Sequence, residues 1–172
     1  MHLNIEIKAR SNNTSFIRNY LLKQQADHPG IDHQTDTYFD VPHGRMKLRE
    51  GNIENALIHY HRENKSGPKA SHVILYPTDP SKKLKEMLIS ALNVKAIVKK
   101  KREIYFIDNV KFHIDEVDGL GSFIEIEAID QRGTIGQQKL EQQCKFYMSE
   151  FRIEEKDLVT VSYSDLLWKS SH

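Results

Sequence analysis

Cysteine is almost absent. Cys144 is the only one in 172 residues, which excludes an internal disulfide framework and any cysteine-rich zinc site and fits a reducing compartment. Long apolar runs are missing as well. No stretch approaches the ~18–20 residues of a bilayer-spanning helix. Met1 to Arg10 has neither the basic start nor the continuous apolar centre of a secretory signal, so a cytoplasmic chain with no membrane partner is expected. Net charge is also lacking: 25 Lys and Arg stand against 24 Asp and Glu, leaving +1. Bulk charge therefore points to no nucleic-acid partner, and any electrostatic function must come from where the charges are placed. No internal repeat, low-complexity tract or linker interrupts the chain. With 38% hydrophobic and 28% charged residues, a single soluble domain over residues 1–172 is expected.

What is present is alternation. Leu3, Ile5, Ile7 and Ala9 fall on one face of an extended segment, and Asn4, Glu6, Lys8 and Arg10 on the other. Further strands are expected over 33–41, 45–50, 55–63, 70–77, 96–107, 110–117 and 122–129, making eight. Short connections carry turn chemistry, at Pro42-His43-Gly44, Lys65-Ser66-Gly67-Pro68 and Asp108-Asn109, which favours antiparallel neighbours. Helical spacing predicts a helix over 14–26 with Asn13 or Thr14 as N-cap. A second, capped by Ser81, carries Leu84, Met87, Leu88 and Ala91 on one side. A third spans 135–150, and a short fourth lies within 162–168. Strands spread along the whole length with helices between them define an α+β fold.

The charges on the polar strand faces are unusual. One face per strand collects Glu6, Lys8 and Arg10; Arg45, Lys47 and Arg49; Tyr60 and Arg62; Lys100 and Arg102; His113 and Asp115; then Glu125 and Glu127. Eight of these are basic and four acidic, so the set carries +4 in a chain of +1. Alternation alone also allows them to be solvated outer faces of a sheet. If the strands close into a barrel with these faces inward, the interior holds crowded cations. Two like charges ~4 Å apart repel by ~4 kcal/mol at the effective dielectric of a cleft, so an empty tunnel would be strained and would call for a polyanion. The separate carboxylates suit Mg²⁺ shared with phosphate oxygens, and the two together suggest a metal-bound triphosphate.

Three segments sharpen this picture: Ile5-Glu6-Ile7-Lys8; Asp36-Thr37-Tyr38-Phe39 leading into Gly44-Arg45-Met46-Lys47-Leu48-Arg49-Glu50; and Gly119-Leu120-Gly121-Ser122-Phe123-Ile124-Glu125-Ile126-Glu127. Taken in order, they resemble the CYTH superfamily of triphosphate tunnel metalloenzymes, over nearly the whole chain. The second segment and the tail Ser162-Tyr163-Ser164-Asp165-Leu166-Leu167 look most like the class IV adenylyl cyclase branch. The resemblance implies a closed antiparallel eight-stranded β-barrel with flanking helices. It implies Lys8, Arg45, Lys47, Arg49, Arg62, Lys69, Lys100 and Arg102 as phosphate ligands, Glu6, Glu125 and Glu127 as ligands of Mg²⁺ or Mn²⁺, and Asp115 as a further tunnel acid. A homodimer is implied too. One departure stands out, because the first glutamate of the family's opening E-x-E-x-K is Asn4 here. An amide offers an oxygen to a hard cation but no charge, so a metal site is weakened.

The function expected is conversion of ATP to cyclic AMP and pyrophosphate. The alternatives are an inorganic or organic triphosphatase, thiamine triphosphatase-like enzymes included, and a protein that binds triphosphate without turnover. A barrel binding single-stranded nucleic acid lacks an exposed aromatic platform. Other conspicuous residues read plainly. His59 and His61 take the face opposite Tyr60 and Arg62 and point outward, whereas His113 shares the tunnel parity. Alternation splits Lys99-Lys100-Lys101-Arg102 between two faces. Gly119 and Gly121 form a tight connection, not a nucleotide loop, since no helix follows. Cys144 sits on an apolar helical stripe and is expected to be buried and inert.

Overall fold

The computed structural model describes residues 1–62, 64–79 and 82–171. Its strands are β1 (His2–Arg10), β2 (Asp27–Phe39), β3 (Arg45–Glu50), β4 (Ala56–Arg62), β5 (Lys69–Pro77), β6 (Val94–Ile107), β7 (Val110–Val117) and β8 (Gly121–Asp130). They close into one barrel in the order β1-β5-β4-β3-β2-β6-β7-β8, every neighbour antiparallel. The helices are α1 (Thr14–Lys23), α2 (Lys82–Ala91), α3 (Gln137–Glu150) and α4 (Tyr163–Ser170). The eight strands expected from alternation, and the closed α+β barrel implied by the family resemblance, are therefore the fold.

Alternation sorts residues radially. On β1, Ile5 and Ile7 face outward while Glu6 and Lys8 face the bore. The outward apolar residues of β1, β7 and β8, among them Phe112, Ile114, Ile124 and Ile126, form the main core beneath α1 and α3 with Ile17, Leu21, Leu140, Cys144 and Phe151. Each such side chain contributes roughly 1.5–3 kcal/mol by leaving water. Phe112 is central, its ring edge-on to Tyr147 at 4.7 Å and near Phe151 at 5.5 Å. Because this core lies outside the barrel, the bore is left for polar side chains, unlike a small barrel filled by its own core.

Boundaries shift where local chemistry masks the pattern. β2 starts at Asp27, six residues before the expected 33, because Pro29 and Gly30 sit in an irregularity of the β2–β6 pairing between Asp27 and Gly30. α1 stops at Lys23, short of 26, where Gln25 turns left-handed at φ 54° and Ala26 N–H closes the end on the Leu21 carbonyl. Asn13 occupies the N-cap position without a side-chain hydrogen bond. The cap expected at Ser81 lies outside the described residues. α2 forms, but none of its described residues is buried, and Met87 is 68% exposed. α4 is closed by a capping box, Ser162 Oγ accepting from the Asp165 N–H and Asp165 accepting from the Ser162 N–H. Its first residue, Tyr163, is buried against Phe123 and Val98 and faces the bore.

Candidate active site

The bore is a cavity of about 640 Å³. It receives Asn4, Glu6 and Lys8 from β1, Tyr38 from β2, and Lys47 and Arg49 from β3. Tyr60 and Arg62 come from β4, Lys100 and Arg102 from β6, Lys111 and His113 from β7, and Glu125 and Glu127 from β8. Register fixes the contacts, since Glu6 stands opposite Glu127 and Lys8 opposite Glu125. The inward sequence changes along the barrel. β4 runs Ala56, Ile58, Tyr60, Arg62, and antiparallel β5 returns Ser71, Val73, Leu75, Pro77, so this part of the wall turns from basic to apolar. Ile129, opposite Asn4, and Phe106 add apolar surface at the Ala56 end, where Arg49 opposite Ala56, Lys111 opposite Phe106 and Glu54 add charge.

The centre of the basic wall is Asp36, fully buried on β2. It accepts two bonds from Arg49 at 2.9 Å each, one from Lys100 at 2.7 Å and one from Lys47 at 3.1 Å. Burial would raise the Asp36 carboxyl, but Arg49, Lys100 and Lys47 outweigh it and hold the group well below the usual carboxylate range. Lys100 is pushed down to about 7, first by burial, then by Arg49 and Arg102, with Asp36 opposing. The expectation of bare repulsion in an empty tunnel is thus corrected, because a carboxylate outside the set collected from the sequence sits among three cations.

A second cluster surrounds Arg102. It is bidentate to Asp115 at 2.7 and 2.6 Å and reaches Glu125 at 3.3 Å. Tyr163 donates its hydroxyl to Asp115 at 2.8 Å. Glu125 also takes Lys8 at 3.2 Å and His113 Nδ1 at 3.0 Å. His113 is lowered to about 4 by burial and by Arg102, which leaves it a neutral ring. Elsewhere Arg62 donates to Glu6 at 2.7 Å, the Asn4 amide donates to Glu127, and Glu54 pairs with Lys111 and, at 3.2 Å, with Arg49. Three side chains that line the bore keep buried atoms without a partner among the described residues: Arg62 at Nε and Nη2, His113 at Nε2 and Asn4 at Oδ1. Orphaned buried donors in a concave site mark a place for an acceptor.

The residues expected from sequence divide accordingly. Lys8, Lys47, Arg49, Arg62, Lys100 and Arg102 converge on the bore with Glu6, Glu125 and Glu127. Asp115 stands behind Arg102, buried, and does not line the cavity. Arg45 lies at the rim on Asp165 at 3.1 Å. Arg10, of the same parity as Lys8, is exposed at the end of β1 and donates to the Leu120 carbonyl. Lys69 is 1% exposed and donates to the carbonyls of Val159 and Thr160, tying the segment before α4 to β5; burial first, then Arg62, lower it to about 8. His59 and His61 face away from the bore as expected, and Cys144 is buried.

The sequence reading missed Asp36, Tyr38, Lys111 and Glu54. Parity would have found the first three: Asp36 and Tyr38 follow Asp32 and Gln34, and Lys111 precedes His113 by two. Glu54 had no such signal. It is aimed inward because Asp32 accepts from the backbone N–H groups of Ile53 and Glu54, both at 2.9 Å.

Among the described residues no three His, Cys, Asp or Glu side chains converge as a ready-made metal cluster, since Glu6, Glu125 and Glu127 are each engaged by other side chains. The donor set nonetheless fits a hard divalent cation: neighbouring carboxylates on β1 and β8 and the orphaned oxygen of Asn4. Glu127 is raised, first by burial and then by Glu6 and Glu125, with Lys111 opposing; a cation held among these oxygens would relieve that repulsion.

A closed barrel whose bore carries cations from β1, β3, β4, β6 and β7 and carboxylates from β1 and β8 is the architecture of a triphosphate tunnel. The CYTH domain profile matches residues 2–163, and the chain belongs to the CYTH family. Solved structures share the fold. The PH1012 protein from Pyrococcus horikoshii OT3 is 23% identical with a TM-score of 0.79, covering 96% of this chain and 99% of that one. A candidate adenylate cyclase from Vibrio parahaemolyticus is 20% identical with a TM-score of 0.78, covering 96% and 98%. HpAC1 from Hippeastrum, a candidate adenylyl cyclase with a dominant triphosphatase activity, is 14% identical with a TM-score of 0.63, covering 99% and 96%. No curated protein matches at a significant level.

Proposed function

We propose that the protein is a divalent-cation-dependent enzyme that binds a nucleoside triphosphate in the bore and acts as an adenylyl cyclase of the class IV type. The observation that carries this reading is the lining of the bore, in which Lys8, Lys47, Arg49, Arg62, Lys100 and Arg102 converge with three carboxylates beside an apolar strip of Ala56, Ile58, Val73, Leu75 and Pro77 on β4 and β5. A triphosphate suits the first and a base the second. In the reaction the ribose 3′-oxygen bonds to the α-phosphorus, the bond from that phosphorus to the bridging oxygen breaks, and pyrophosphate leaves as the hydroxyl proton is lost. Lys8, Lys47, Arg49, Arg62, Lys100 and Arg102 would bind the phosphates and stabilise the charge that grows on pyrophosphate. Asp36 would position three of these cations. Glu6, Glu125 and Glu127 would hold Mg²⁺ or Mn²⁺ with the Asn4 oxygen. Such an ion, when bound, neutralises phosphate charge and aligns the attacking and leaving oxygens.

A second reading, hydrolysis of a terminal phosphate at the same site, is supported by the fold shared with HpAC1, whose dominant activity is that of a triphosphatase. Phosphorus NMR with Mg²⁺ separates the two. Cyclic AMP and pyrophosphate are expected from ATP, with tripolyphosphate left intact. Orthophosphate as the sole product would give the assignment to hydrolysis. Unchanged spectra together with no thermal shift from either compound would sink both.

A further inference from the structure

At the Ala56 end of the bore the wall continues past the strands. Phe106 and Ile129 share the inward parity of Arg102 and Glu127, and Gln131 keeps that parity just beyond the end of β8 at Asp130. All three also line a second cleft of about 280 Å³, between the β6–β7 turn at Asp108 and Asn109 and the loop that runs from Asp130 to Ile135. The cleft therefore prolongs the bore beyond its rim. Both of its walls are fixed. Asp130 accepts from the backbone N–H groups of Thr134, Ile135 and Gly136 at 3.0 Å each, which closes the loop on itself. Asn109 donates Nδ2 to the Ile129 carbonyl at 3.2 Å and exchanges two amide bonds with Gln143 at 3.0 and 2.8 Å, tying the turn to β8 and α3. Such a preformed cleft spares a ligand much of the cost of ordering its site.

The lining is apolar with a small polar edge. Phe106 and Ile129 are half-buried, and Ile135 stays 37% exposed on the loop. Gln131, exposed beside them, carries an amide that donates and accepts at once. Lys8, Arg62, Lys100 and Arg102 line the bore but not the cleft, so a bare polyphosphate gains nothing there. A flat heteroaromatic ring does gain, because its faces pack on aromatic and aliphatic side chains and its edge sets a donor beside an acceptor. The amine and N7 of adenine form such an edge, and a glutamine amide meets it with two hydrogen bonds.

We propose that this cleft is the base subsite and takes adenine, stacked on Phe106 and read at its edge by Gln131, while the triphosphate lies in the bore. The inference rests on the bore binding a nucleoside triphosphate, and the test separates the two. Calorimetry of the full chain in EDTA, where a metal-dependent reaction does not run, compares ATP with tripolyphosphate. Phe106→Ala and Gln131→Leu should each weaken ATP roughly tenfold or more, the scale of a lost base contact, and leave tripolyphosphate within about twofold. If Phe106→Ala fails to fold, Phe106→Leu, which keeps the bulk and loses the ring, should weaken ATP likewise. Losses shared equally by both ligands, or no loss of ATP binding, would overturn the subsite. Adenosine at millimolar concentration probes the cleft without the phosphates. It should shift the methyl signals of Ile129 and Ile135 saturably and leave those of Ile124 and Ile126, in the core outside the barrel, in place. Adenosine that moves neither Ile129 nor Ile135 would also overturn the subsite. If adenosine moves both while tripolyphosphate fails to bind, the bore reading fails and the cleft stands.

Discussion

Replacing Asp36 by Asn keeps the side-chain shape and removes the charge at the centre of Lys47, Arg49 and Lys100. Asp36 is fully buried and accepts four bonds from these groups, so the variant leaves cations facing one another in a poorly solvated wall. Breaking a buried ion pair from one side costs about 3–5 kcal/mol. For a chain of this size that lowers the melting temperature by roughly 6–20 °C. Lys100 supplies an internal check. Its folded pKa of about 7 is below the unfolded value of 10.5, so this group's contribution to stability rises with pH between those limits. Without Asp36 the folded pKa falls further, and the loss should be larger at pH 6 than at pH 9, where Lys100 is already neutral. Tripolyphosphate at ~100 times its Kd adds about 2.7 kcal/mol to the parent. It should add more to the variant, because the ligand replaces the missing negative charge. Differential scanning fluorimetry at both pH values, with and without tripolyphosphate, makes the comparison. A variant melting within about 2 °C of the parent, or gaining no more from the ligand, would refute the reasoning.

Arg62→Gln should weaken tripolyphosphate binding roughly 10–100-fold by calorimetry, the loss of charged hydrogen bonds worth ~1.5–3 kcal/mol. Binding at pH 8 should take up a proton, because anionic oxygens favour the charged form of Lys100; affinity should fall as pH rises from 7 to 9, and the enthalpy should vary with buffer ionisation, an effect absent in Lys100→Met. Asn4→Glu should tighten Mn²⁺ roughly tenfold or more, read from free Mn²⁺ by electron paramagnetic resonance, since charge count sets the affinity of such sites. Cys144, buried and raised to about 12 chiefly by burial, should resist aromatic disulfide reagents at pH 8 until the protein is denatured; fast labelling of the native protein would contradict that placement.

Strict alternation made the strands and their two faces legible, and the ordered motifs of the family resemblance made the closed barrel so. β1 and β8 carry Ile5, Ile7, Ile124 and Ile126 outward and Glu6, Lys8, Glu125 and Glu127 inward, and the same parity separated Lys100 and Arg102 from Lys99 and Lys101. Legibility failed where position depends on partners distant in sequence. Arg10 and Arg45 share the inward parity but stand at strand ends, where the wall stops and a long side chain turns to a neighbour at the rim. Glu54 reaches the bore only because Asp32 folds its loop inward. Pro29 and Gly30 hid the start of β2, since an irregular pairing interrupts the period. The helical spacing in α2 was sound, but a periodic stripe reports a helix and not the surface that covers it.

The Asp36 cluster makes the bore an ion exchanger. Lys47, Arg49 and Lys100 already hold a resident carboxylate, and Lys8 and Arg102 hold another in Glu125. A ligand entering there swaps one counter-ion for another instead of filling empty positive space, and it succeeds only if it carries more charge per volume than the carboxylates it relieves. A single phosphate offers little advantage in that exchange, whereas a chain of three, with several charges on one backbone, engages all the cations at once. Discrimination by charge density would then be built into the resting protein, before any contact with base or sugar.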